Sequence, residues 1–90
     1  MNTTVWKYPL AIEVEQTIEV PNGANAMIVQ LQENTPCIWF AVDPDAENIR
    51  RTIRMVGTGM AELDEQMSYL GTVQLDGYVW HYFEVRDVIR

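Results

Sequence analysis

Three of the six basic residues in this 90-residue chain sit together in Arg50-Arg51-Thr52-Ile53-Arg54, and Gly57-Thr58-Gly59 follows. The run reads as a strand over 51–58. Strand alternation then puts Arg50, Thr52, Arg54, Val56 and Thr58 on one face, with Ile53 and Met55 on the other. Guanidinium forks beside hydroxyls suit bidentate recognition of phosphate or carboxylate. Glycines permit close backbone approach, and their N–H groups can add to an anion nest. Arg50, Thr52, Arg54, Gly57, Thr58 and Gly59 are therefore the candidate anion-binding residues. A plainer reading fits the same pattern: a solvated strand face whose arginines pair with Glu13, Glu15 and Glu19 across a sheet, followed by a glycine bulge. Gly-x-Gly alone is a weak signal, and the downstream part of a dinucleotide or P-loop fingerprint is missing.

Aromatic side chains are the second resource, with three Trp, four Tyr and two Phe. A ring beside an arginine can stack a nucleobase while the guanidinium holds its phosphate. Trp80, Tyr82 and Trp39 are the candidate stacking residues. The competing expectation is a sandwich core or a subunit interface. Tyr78, Trp80 and Tyr82 share one face of the last strand, and Val79, His81, Phe83 and Val85 share the other. Both faces cannot be open to water without a large apolar patch.

Other reactive groups offer less. His81 is the single histidine, and a lone histidine on an apolar face is more often a packed, hydrogen-bonded residue than a base. Cys37 opens an apolar strand and reads as a small hydrophobe. Asp43-Pro44-Asp45-Ala46-Glu47 resembles the start of a calcium loop, but Asn48 stands where the sixth-position glycine belongs. Zinc lacks ligands in this composition. No Ser-His-Asp or Cys-His set has support, and no acid pair stands out from surface charge. Catalysis, metals and cofactors are not expected.

These groups need a scaffold, and composition bounds it. Ninety residues make one domain, and 48% apolar with 21% charged residues are globular values. The net charge of −7 disfavours non-specific binding to a phosphate backbone. No uncharged run reaches membrane-spanning length. Met1-Asn2-Thr3-Thr4 has no basic n-region, and a single cysteine cannot form an internal disulfide, so a cytoplasmic protein is expected.

The strand pattern is clear. Residues 12–20 alternate, with Ile12, Val14, Ile18 and Val20 facing in, and Glu13, Glu15, Thr17 and Glu19 facing out. Pro21-Asn22-Gly23 supplies a turn. Residues 26–32 alternate again, with Met27, Val29 and Leu31 facing in, so 12–32 is predicted as a β-hairpin. Residues 37–42 are apolar throughout, as a central strand requires. Residues 60–67 are predicted as, at most, one short helix. Residues 69–75 and 78–85 flank Asp76-Gly77, the preferred type I′ hairpin turn. Val5-Trp6-Lys7-Tyr8 adds a strand ended by Pro9. The expected fold is all-β: a small antiparallel sandwich or partly open barrel of about seven strands.

Trp6-Lys7-Tyr8-Pro9-Leu10, Gln16-Thr17-Ile18-Glu19 with Pro21 and Gly23-Ala24, Pro36-Cys37-Ile38-Trp39, Val42-Asp43-Pro44 and Gly57-Thr58-Gly59 resemble a family of short uncharacterised proteins of phages and prophage regions. The likeness spans nearly the whole chain. It carries over no catalytic residue. It implies a small phage accessory protein acting in the bacterial host cytoplasm, a setting in which counter-defence is common.

Two functions are expected from this material. One is sequestration of a small anionic, nucleotide-derived signal, favoured by homo-oligomers whose interfaces deepen pockets. The other is inhibition of a host defence protein, with Glu13, Glu15 and Glu19 docking on a basic patch.

Overall fold

The computed structural model describes residues 3–64 and 66–86. Seven strands follow in order: β1 (Thr4–Pro9), β2 (Glu15–Pro21), β3 (Asn25–Gln32), β4 (Thr35–Val42), β5 (Asn48–Gly57), β6 (Met67–Leu75) and β7 (Tyr78–Val85). They form two sheets, one ordered β1-β4-β3 and the other β2-β5-β7-β6. Every pairing is antiparallel. The expected all-β architecture is present as an open two-sheet sandwich.

The apolar run at 37–42 lies at the centre of the three-stranded sheet, between β1 and β3. Its inward residues Ile38, Phe40 and Val42 meet Ile53, Met55, Val73 and Tyr82 of the other sheet in one core cluster. Full burial of a side chain such as Phe40 contributes about 1.5–3 kcal/mol before ordering costs. The last hairpin forms as its turn chemistry requires. Asp76 and Gly77 have φ of 53° and 83°, and Leu75 pairs with Tyr78.

The two sheets approach most closely where β6 passes β3. There Gly71 packs on the Val29 backbone, with no space for a Cβ beside the Val29 carbonyl oxygen. A register shift between Tyr69 and Gly71 bends β6 into this contact.

Three expectations are corrected. Residues 12–32 do not form a hairpin. β2 pairs with β5, and β3 pairs with β4 in the other sheet. The Asn22-Gly23 turn exists, with Gly23 at φ 83°, but it hands the chain across the sandwich, held by Asn22 N–H donating to the Glu47 carbonyl at 2.7 Å. An alternating strand buries one face equally well beside its neighbour or opposite it, so alternation alone does not choose between them.

The inward sets of these two strands also differ from expectation. Ile12 and Val14 are exposed because the strand begins at Glu15. The Gln16 side chain bonds both the N–H and the carbonyl of Ala11 and so holds this approach out of the core. In β3 a bulge between Ala26 and Ile28 displaces Met27 outward and gives the inward place to Ala26.

Residues 60–64 form no helix. Too few residues are present to offset helix nucleation. Asp64 instead accepts the Gln66 N–H on its side chain and the Met67 N–H on its carbonyl, which leads the chain directly into β6. Glu65, within the predicted helix, lies outside the described residues.

Candidate functional site

β5 carries the candidate anion-binding residues, and its pairing decides what each can reach. Register with β2 sets Glu15 opposite Arg54, Thr17 opposite Thr52 and Glu19 opposite Arg50. On the far side, Arg54 faces Phe83 and Val56 faces His81 of β7. Arg50, Thr52, Arg54 and Val56 share a face as expected, but Val56 is buried, and Thr58 lies beyond the end of the strand.

The six candidates do not converge. Arg50 and Thr58 are eight residues apart on extended chain, roughly 26 Å. Arg54 is engaged locally. Its Nε and Nη2 both donate to Glu15 Oε1, at 3.2 and 2.6 Å, and its Nη1 approaches Met67 Sδ. This is the cross-strand ion pair of the plainer reading. Thr52 lies between Thr17 and Val85. Gly57, Thr58 and Gly59 line a separate, smaller cleft at the far end of the strand.

Arg50 stands in the larger cleft. That cleft has a volume of about 550 Å³ and opens where the described ladder between β5 and β7 begins, at Thr52 and Val85. Its walls include Arg50, Arg51, Arg86, Ser68 and Glu84, with Ile49 and Val85 as apolar surface. Arg50 is exposed, and among the described residues it makes no ion pair.

Arg51 is the residue that strand alternation did not single out. It shares the inward face with Ile53 and Met55, at the open end of the core. Its Nε and Nη2 form a fork with the Glu84 carboxylate, and Nη1 donates to the Ala24 carbonyl at 2.8 Å. Its guanidinium carbon lies 5.4 Å from the centre of the Phe40 ring. A signal for this pair exists in the sequence: each apolar face, Ile53-Met55 on β5 and Trp80-Tyr82 on β7, ends in a charge, and the two charges have opposite sign. A charge on a core face must find a partner.

The three stacking candidates are dispersed. Tyr82 is 0% exposed within the core. Burial pushes its pKa up to about 12, and its hydroxyl has no partner among the described residues. Trp80 packs at the core edge, stacked on Tyr78 with ring centres 5.5 Å apart. Trp39 lies on the outer face of the other sheet, between Lys7 and Ile28.

His81 is hydrogen-bonded on both nitrogens: Nε2 to Thr58 Oγ1 and Nδ1 to Thr72 Oγ1, each at 2.9 Å. Thr72 Oγ1 also meets the Tyr69 hydroxyl at 2.6 Å. Among the described residues, no acid belongs to this chain of groups. Cys37 is buried, with its Sγ 3.5 Å from the Thr35 carbonyl. Asp43 accepts the Asp45 N–H on its side chain, which makes the acidic segment a local turn.

Fold and clefts define a small open β-sandwich with an arginine-lined cleft at one end. The chain belongs to a family described as a domain of unknown function, DUF7352, whose model matches residues 1–89. No curated protein and no solved structure matches it. Among the described residues, no helix is long and apolar enough to cross a membrane.

Proposed function

We propose that this domain is a non-enzymatic binding protein for a small anionic, nucleotide-derived ligand held in the Arg50–Arg51–Arg86 cleft. One observation carries the reading. Half of the six basic residues of a chain with net charge −7 line a single cleft, and among the described residues its lining has one acid, Glu84. The volume of about 550 Å³ falls in the range of small-ligand sites, roughly 300–1,000 Å³.

The division of labour follows from the partners. Arg51 is positioned by Glu84 and Ala24 and keeps N–H groups beyond those it has committed. Arg50 supplies the exposed guanidinium. Ile49 and Val85 supply apolar surface for a sugar or base edge. Phage origin, counter-defence, the host cytoplasm and homo-oligomerisation belong to this proposal, and they rest on the sequence resemblance and general chemistry rather than on the cleft.

Thermal unfolding in a panel of cyclic and linear nucleotides tests it. A ligand at a hundred times its Kd adds about 2.7 kcal/mol, a Tm rise on the order of 10 °C for a domain this small. Arg50→Glu should remove that rise. A panel in which no nucleotide raises Tm overturns the reading.

A further inference from the structure

The opposite end of the sandwich has a different character. β5 ends at Gly57 and β7 begins at Tyr78, and two open clefts lie side by side there, sharing Gly57 and Thr58. One, about 240 Å³, is walled by Val56, Ala61, Leu63 and Phe83, with His81 as a polar side chain bonded to Thr58. The other, about 340 Å³, is walled by Met60, Tyr78, Val79 and Trp80. Gly57 lies at their junction. A Cβ there would overlap Met60 Sδ and come within 3.1 Å of the Trp80 ring.

Large apolar side chains stand open to water at this end: Met60 is 70% exposed, Tyr78 61% and Leu63 56%. Methionine and aromatic side chains are enriched in interface cores, and methionine adapts to varied partners. Among the described residues, no lysine, arginine, aspartate or glutamate lines either cleft. The described loop charges that flank them are negative, while the neighbouring cation, Arg54 opposite Phe83, is already paired with Glu15. Glu62 and Asp64 bracket Leu63, Asp76 precedes Gly77, and all three are exposed. Between Arg54 and Arg86 the sequence has no lysine or arginine.

We propose that this end is a docking surface for a basic amphipathic segment of a partner protein, which seats apolar side chains in the paired clefts and sets lysines or arginines against Glu62, Asp64 and Asp76. Charge selects this occupant. A second copy docked through this same end would bring the same acidic rim, and like charges facing each other oppose association there. An anionic membrane surface is repelled by the same rim. The surface lies at the other end of β5 from the arginine cleft and does not depend on what that cleft binds.

The test uses the full chain and a fluorescein-labelled synthetic peptide carrying two leucines four residues apart among lysines. Two control peptides replace the leucines by alanine or the lysines by glutamate. Binding is read by fluorescence polarisation, with Tm and circular dichroism as fold controls. The leucine–lysine peptide should bind, and both controls should bind at least tenfold more weakly. Met60→Ser with Leu63→Ser, at exposed positions that the core does not need, should weaken binding at least tenfold with Tm retained. Glu62→Lys should weaken it further as salt is lowered, whereas Arg50→Glu should leave it unchanged. Absence of binding, equal binding of either control, or indifference to Met60→Ser with Leu63→Ser overturns the proposal. So does a dimer in sedimentation that those two substitutions convert to monomer, because the occupant is then a second copy.

Discussion

Arg51 Nη2 donates to Glu84 Oε1 at 3.0 Å, diagonally across the inner face of β5 and β7. Both side chains are mostly buried, 19% and 15% exposed. The pair closes the end of the core over Phe40 and also forms a wall of the arginine cleft. Structure and proposed site therefore share these two residues, and their substitutions must be read in both roles.

Glu84→Gln leaves the Arg51 charge in place without its carboxylate. It should cost about 2 kcal/mol, since truncating one partner strands the other. Arg51→Met keeps the stem over Phe40, so the double substitution should cost less than the sum of the singles. Urea unfolding of the four proteins measures the coupling, expected at about 1–2 kcal/mol. Additive effects would mean that the pair contributes nothing beyond its separate contacts.

Arg50 and Arg54 should separate cleanly, although they share a strand face. Arg54 is bound to Glu15 at an exposed cross-strand pair, where Arg54→Ala costs about 0.2–1 kcal/mol. It should leave nucleotide-induced stabilisation intact. Arg50→Glu should leave unfolding in the absence of ligand within about 0.5 kcal/mol of the parent and abolish the ligand effect. Calorimetric titration with the nucleotide that raises Tm most distinguishes the two. Loss of binding in Arg54→Ala would move the site to the middle of the strand.

Gly71→Ala should be among the most destabilising single-atom changes in the chain. The added carbon meets the Val29 carbonyl, with further backbone atoms of Val29 at 3.2 Å. Backbone on both sides cannot yield as a flexible side chain would. Separating β6 from β3 should cost about 3 kcal/mol, which lowers Tm by roughly 12–20 °C. Thermal unfolding by circular dichroism reads this directly.

Tyr82 gives the domain an alkaline limit. Its hydroxyl titrates near 10 in the unfolded chain and near 12 in the folded core, where burial disfavours the phenolate. Between those values the unfolded state has released a proton that the native state retains. The stabilisation is therefore complete below pH 10 and falls as pH rises, by about 1.4 kcal/mol per unit up to pH 12. Tyr82→Phe removes this dependence and also the unpartnered hydroxyl, so at pH 7 it should be neutral or stabilising by about 1 kcal/mol. The difference between the two proteins' unfolding free energies, followed from pH 8 to 12, isolates Tyr82 from the other tyrosines.

Several elements are legible in the sequence. Asp76-Gly77 between two runs of strand formers specified its hairpin because the turn geometry is local and needs positive φ at both residues. The apolar run at 37–42 specified a central strand because only a position between two neighbours conceals such a sequence. The opposition of Glu15 to Arg54 was also open to sequence reasoning, since alternation puts both on wet faces.

What sequence alone determined, then, is the number, kind and facing of most strands. These follow from period-two burial and turn chemistry within a few residues. Only the tertiary structure decided which strands pair. Val20 and Val29 face inward whether β2 and β3 lie side by side or in opposite sheets, and nothing within either segment distinguishes the two. That same long-range choice ended the described β5–β7 ladder at Thr52 and Val85, so that Arg50 and Arg51, on opposite faces of one strand, line a single cleft. It also engaged Arg54 with Glu15 and carried Gly57-Thr58-Gly59 to the far end of the sandwich. The anion-recognition chemistry was visible in the residue types; its location depended on contacts between segments distant in the chain.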